Sequence, residues 1–207
     1  MRVVKDAEER KNEILDIAQR LFNEKGYAQT TVEDIMKECN IAKGTLYYHF
    51  KSKEDILSAM IDRLIDRQEE TMKEIAGNDT ITVVEKLVRV IQLLSHRWMV
   101  DEGLCEQENE VLYQKSFTRT LSRFDDVMTS IVEQGTKSGE FTTAYPRESV
   151  ELLFCASQLL DPFVFHWKEE EYQSREKAFF WMLEITLGIT PEAKKQLYQL
   201  AGLSDES

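Results

Sequence analysis

Twenty-four residues near the amino end, T-T-V-E-D-I-M-K-E-C-N-I-A-K-G-T-L-Y-Y-H-F-K-S-K from Thr30 to Lys53, leave this chain few ways to fold. Two short helical patterns, Val32 to Cys39 and Lys43 to Phe50, flank a gap that holds only Asn40, Ile41 and Ala42. Nothing but a tight turn fits between them, so the spacing predicts a helix-turn-helix.

The first pattern carries a start signal. Thr31 stands where an N-cap belongs, and Asp34 occupies the acidic position of a capping box and suits the positive end of the helix dipole. Ile35, Met36 and Cys39 fall on one face, which leaves Glu33, Lys37 and Glu38 to water. Asn40 tolerates the left-handed conformation a sharp reversal needs, and Ile41 returns to the core. In the second pattern Leu46 and Phe50, four apart, face inward, so Lys43, Gly44, Thr45, Tyr47, Tyr48 and His49 cover the outer surface and its edges. A helix of about eight residues is about 12 Å long, comparable with a B-DNA major groove roughly 12 Å wide. Lysine and hydroxyl groups reach phosphates or base edges, Gly44 admits close approach, and aromatic carbons meet thymine methyls. Adjacent tyrosines also serve as half-buried packing, and spacing alone leaves both readings open.

The run K-G-T-L-Y-Y-H-F-K-S-K-E-D-I-L, Lys43 to Leu57, resembles the signature of the TetR family of bacterial transcriptional regulators, and T-T-V-E-D-I resembles the opening of that family's preceding helix. The motif covers about the first 57 residues; beyond it only a helical plan can be compared. By that resemblance Thr31, Lys43, Gly44, Thr45, Tyr47, Tyr48, His49 and Lys53 take the DNA-contacting positions. The resemblance implies an all-α chain: a three-helix DNA-binding domain over residues 1–53, then a larger helical effector-binding and dimerisation domain over 54–207. Two departures stand out. Cys39-Asn40-Ile41 replaces the family's usual Ala-Gly-Val, and Ala42 replaces a frequent Ser cap, giving up about 1 kcal/mol at the start of the reading helix.

Composition sets outer limits. Hydrophobic residues at 42% permit a core, and three prolines with eight glycines favour long helices over many short strands. No apolar stretch nears 20 residues and the charged start lacks an apolar leader, so no membrane association and a cytoplasmic location are expected. Cys39, Cys105 and Cys155 show no paired spacing and read as free thiols; His49, His96 and His166 are too scattered for a metal site. No cofactor is implied, and an enzyme is not expected, because no nucleophile-base arrangement, phosphate loop or metal spacing occurs. The net charge of -12 at first opposes nucleic-acid binding. It is unevenly placed: residues 1–53 carry +1 and the remainder -13. Salt screens over about 8 Å, so distant acid weakens local phosphate attraction without abolishing it, and operator binding is expected to be unusually salt-sensitive.

Along the chain, Lys5, Arg10 and Lys11 could form a phosphate-touching arm or simply a solvated helix start. Ile14, Leu15, Ala18, Leu21 and Phe22 mark an amphipathic helix over 7–25 that ends at Gly26. Ser52 caps a long helix over 53–76, roughly 36 Å, assigned as the element that carries displacement between the two domains. Further helices are predicted at 81–100, 105–114, 116–138, 147–168, 173–188 and 191–201, with Pro162 kinking one of them.

Two segments, 150–167 and 178–185, are apolar around too much of their circumference for one buried face. A second copy could cover the excess as a two-fold four-helix bundle, with Leu153, Leu160, Val164, Phe179, Phe180 and Met182 as interface candidates. A monomer with these helices central in its core is the alternative. His96, Trp98, Met99, Phe117, Phe124, Met128, Phe154 and Phe163 are candidates for an effector pocket, and plain core packing is the competing reading for each. Glu106, Glu108, Glu110 and Asp161 could add polar selectivity, so an apolar or cationic effector is expected. The partners implied are double-stranded operator DNA, a second copy of the chain and a small-molecule effector. The function implied is a ligand-responsive repressor, and the alternative is a TetR-like coactivator or adaptor acting through protein contacts.

Overall fold

The structure is a computed structural model that describes residues 6–94, 110–160, 165 and 167–203, the backbone alone at 110–116. Among the described residues every regular element is helical: α1 (Ala7–Lys25), α2 (Val32–Glu38), α3 (Lys43–His49), α4 (Lys53–Ala76), α5 (Val83–Leu94), α6 (Glu110–Ser138), α7 (Pro146–Ser157), α8 (Glu169–Leu187) and α9 (Pro191–Ala201), with a 3-10 turn at Gln158–Leu160.

Contacts divide the chain into two compact units, and the division falls inside α4, between Asp66 and Arg67. In the first unit α1 buries Ile14, Leu15, Ala18, Leu21 and Phe22; α2 and its cap add Ile35 and Cys39; α3 adds Leu46 and Phe50. The early turns of α4 close this core with Ile56, Leu57, Met60, Ile61 and Ile65. That stripe is why the first unit extends past residue 53. The helix starts as its sequence suggests: the Asp55 amide donates to Ser52 Oγ at 3.2 Å, and Asp55 Oδ2 accepts from the Lys51 amide at 3.0 Å.

The second unit is built on α6, whose Phe124, Met128, Ile131 and Val132 are buried with Val84, Val88 and Val90 of α5, Phe154 of α7 and Leu183 of α8. A side chain at Gly135 would meet the Phe141 ring at 2.1 Å, so glycine is what lets the chain fold back on α6 after Ser138. Lys86 of α5 is 3% exposed, and its ammonium donates to Ala76 O at the end of α4 and to Gln134 Oε1 of α6, both at 2.8 Å. Glu69 of α4 pairs with Arg123 of α6.

Three helix boundaries depart from the sequence reading. The expected break between 114 and 116 is absent, because no glycine or proline interrupts α6 until Gly135. The helix expected to run to 168 leaves α geometry after Ser157 and tightens into the 3-10 turn, and the kink expected at Pro162 lies outside the described residues. α8 starts at Glu169, four residues earlier than expected. The Lys168 amide donates to Glu171 Oε2 at 3.0 Å, and three consecutive glutamates suit the dipole of the first turn.

Candidate nucleic-acid interface

The reading pair begins at Thr31. Its hydroxyl accepts from the Asp34 amide at 3.1 Å and donates to Asp34 Oδ2 at 2.9 Å, while the Thr31 amide donates to the same carboxylate oxygen at 3.0 Å. The capping box is therefore complete. Those bonds from Thr31, with Lys25 3.6 Å away, hold the Asp34 carboxyl below the usual carboxylate range. Asn40 adopts φ 49, the left-handed conformation that makes the turn. Cys39 is buried beneath it, and burial pushes its thiol up to about 11, so it behaves as a small core side chain.

α3 buries Leu46 and, at its end, Phe50; Ala42 provides no side-chain cap. The outer face is what remains. Lys43 and Gly44 are exposed, Thr45 and His49 half-buried, and Tyr47 and Tyr48 are 41% and 78% exposed. The Lys43 ammonium lies 5.7 Å from the Tyr47 ring centre, and the rings of Tyr48 and His49 meet edge to face at 4.9 Å. A cation, a hydroxyl and two phenols on one short helix can donate to phosphate and base acceptors and offer flat carbon faces to methyl groups. Nothing beside Gly44 lies within 4 Å of where a side chain would stand, so the backbone there is open to a close partner.

Two of the expected contact residues are already engaged. Thr31 spends its hydroxyl on the capping box. Lys53 is turned inward: its ammonium donates to the backbone carbonyls of Tyr27 at 2.7 Å and Thr30 at 3.0 Å, approaches Ala28 O at 3.4 Å, and stands 4.2 Å from the Tyr27 ring centre. Burial, with Glu54 nearby, pushes the Tyr27 phenol up to about 12 and keeps it neutral. Nothing in the sequence signalled this inward turn.

In the second unit Phe117 stacks on Phe154, ring centres 5.2 Å apart, and Phe124, Met128 and Phe154 are buried. These four expected pocket residues thus contribute to one apolar interior. His96, Trp98, Met99 and Phe163 lie outside the described residues, as do Val164, Glu106, Glu108, Asp161, Pro162 and the Glu110 side chain. Among the described residues no group of His, Cys, Asp and Glu could hold a metal ion, and no helix is long and apolar enough to cross a membrane.

The expected dimer residues differ in exposure. Leu153, Phe179 and Phe180 are buried within their own chain. Leu160 and Met182 are half-buried. The apolar side chains left in water are Leu152 and Leu159 at 67% and 52% exposure, and Trp181 and Ile185 at 60% and 57%. Exposed Cys155 lies between the first two in sequence, and Ala178, one turn before Trp181, is exposed as well. Residues 178, 181 and 185 are spaced as one stripe of α8 and 152 and 155 as one stripe of α7, while Leu159 lies in the 3-10 turn that follows. Segments apolar on every side gave no clue to which stripe turned outward.

Comparison with known proteins adds family, relatives and fold. Residues 14–60 match the family model for bacterial regulatory proteins of the tetR family, and residues 95–181 match that for the tetracyclin repressor-like C-terminal domain. The chain is similar to the fatty acid metabolism regulator protein of Bacillus subtilis (strain 168), 32% identical over 138 residues that cover 62% of this chain and 69% of the relative. It is also similar to the HTH-type transcriptional repressor KstR2 of Rhodococcus jostii (strain RHA1), 30% identical over 153 residues, 70% of this chain and 72% of the relative. In fold it resembles the crystal structure of a transcriptional regulator from Cytophaga hutchinsonii, with a TM-score of 0.67 at 20% identity over 88% of this chain and 98% of the other.

Proposed function

This chain belongs to the TetR family of bacterial regulatory proteins, and from that premise we propose that it is a homodimeric transcriptional repressor whose hold on operator DNA is released by a small molecule. The observation that carries the reading is the outer face of α3, where Lys43, Tyr47 and Tyr48 stand in water with an open backbone at Gly44 between them and the capped α2. Lys43, Gly44, Thr45, Tyr47, Tyr48 and His49 are assigned as the contact surface, and Thr31 as the residue that fixes the entry to the reading pair. Residues 1–53 are assigned to DNA binding and 54–207 to effector binding and dimerisation, with α4 serving both. Acting on chromosomal DNA implies a cytoplasmic protein.

One copy presents one reading helix, whereas a two-fold pair reads two half-sites about one helical turn, roughly 34 Å, apart. Leu152, Cys155 and Leu159 with Ala178, Trp181 and Ile185 are the surface assigned to pairing. The effector is assigned to the apolar interior around Phe117, Phe124, Met128 and Phe154. A relative named for fatty acid metabolism supports an apolar ligand over a cationic one. An effector that binds better to the form whose reading heads miss operator spacing shifts the population away from DNA by its differential affinity, typically about 1–3 kcal/mol. Fluorescence anisotropy with a labelled duplex from upstream of the chain's own gene tests the reading. Saturable binding that a scrambled duplex does not match supports it, and equal binding to both duplexes rejects it.

A further inference from the structure

The long helix α4 begins at a lysine whose charge is used inside the protein. A lysine ammonium has three protons and no acceptor. At Lys53 these meet a fan of backbone carbonyls from the loop between α1 and α2, Tyr27 O at 2.7 Å, Thr30 O at 3.0 Å and Ala28 O at 3.4 Å, with the Tyr27 ring closing a further side. No proton is left over for a phosphate oxygen. The loop is held from its other side as well, because the buried Thr30 hydroxyl, at bonding distance from two carbonyls, lies 2.8 Å from Gly26 O and 3.2 Å from Leu21 O.

The topology gives this contact its consequence. Thr30 precedes the N-cap of α2 by one residue, and Lys53 follows the end of α3 by four. The reading pair therefore leaves the core at Thr31 and returns at Ser52, and one ammonium fastens both ends together. We propose that Lys53 is a positioning residue: it straps the first turn of α4 to the loop that aims α2 and α3, so that a movement of α4 is delivered to the reading pair through this contact and not through the backbone alone. This rests on the assignment of α3 as the DNA-reading helix, and it removes Lys53 from the phosphate contacts that the sequence motif implies.

Two variants of the full chain separate a strap from a phosphate contact. Lys53→Met keeps the stem and removes the charge. Lys53→Arg keeps the charge but replaces a compact three-proton head with a planar fork that cannot serve three converging carbonyls. Without DNA, hydrogen exchange at the amides of Thr30 and Asp34 is expected to accelerate about tenfold or more in Lys53→Met, because bonds to charged groups are among the stronger ones in a protein. With the duplex from upstream of its own gene, both variants are expected to lose about tenfold or more in affinity while the slope of log affinity against log salt stays at the wild-type value. Unchanged exchange in Lys53→Met overturns the proposal. So does a slope that falls by about 0.9 per reading head in Lys53→Met and recovers, with affinity, in Lys53→Arg, the signature of a lost phosphate contact. If the wild type binds no duplex at all, the functional reading fails while the exchange measurement still decides the strap.

Discussion

Replacing Trp181 by alanine separates association from folding. The residue is 60% exposed, and an aromatic side chain of its size buries roughly 200 Å² in a core, so about 120 Å² of each copy remains in contact with water when the chain is alone. At about 25 cal/mol per Å², covering that surface contributes about 3 kcal/mol per copy, and two-fold symmetry counts it twice. Ordering of side chains and imperfect fit reduce the sum, and truncations at the centres of interfaces commonly cost about 2–4 kcal/mol. Trp181→Ala is therefore expected to weaken the dimer by about a hundredfold, read as a rise in Kd by sedimentation equilibrium, with the far-ultraviolet circular dichroism unchanged. The neighbouring residue gives the opposite outcome. Phe180 is 6% exposed within its own chain, so Phe180→Ala is expected to cost about 3–5 kcal/mol of folding stability without a selective effect on association. A Trp181→Ala dimer within about threefold of the wild-type Kd would refute the assignment of this α8 stripe to pairing.

Other expectations follow from single contacts. Lys86→Met removes the donor to Gln134 Oε1 and leaves Ala76 O with only the longer bond from Gln134 Nε2 at 3.3 Å, and is expected to lower stability by roughly 1–3 kcal/mol in thermal unfolding. Thr31→Ala removes the hydroxyl of the capping box and is expected to cost about 1 kcal/mol and to weaken operator binding, measured by denaturant titration and anisotropy. Because the folded-state pKa of Asp34 is depressed, its contribution is complete above the ordinary aspartate range and is lost as pH falls through the lowered value; Asp34→Asn is expected to flatten that acid-side loss of stability.

Much of the first unit was legible because its signals are local. Thr31 with Asp34, Asn40 in the turn, Leu46 with Phe50, and the α1 and α4 stripes each depend on residues within a few positions of one another, and the structure places them as their spacing indicates. Lys53 was not legible. Its partners are carbonyls 23 to 26 residues earlier in the chain, and backbone acceptors leave no trace in side-chain spacing. Lys86 escaped for a related reason: a charge within the apolar α5 finds its acceptors on α4 and α6, which only the packing reveals. At α7 and α8 the excess of apolar residues could not say which of them a lone chain covers for itself: Leu153, Phe179 and Phe180 are buried, while Leu152, Trp181 and Ile185 stand in water.

The measurement that bears most directly on the account is Tyr47→Ala in the same anisotropy titration, with sedimentation run alongside. Tyr47 is exposed, so its removal leaves the core around Leu46 and Phe50 intact. A folded dimer that no longer distinguishes the upstream duplex from a scrambled one is the predicted result. Wild-type affinity for the upstream duplex in that variant would contradict the placement of α3 against the bases.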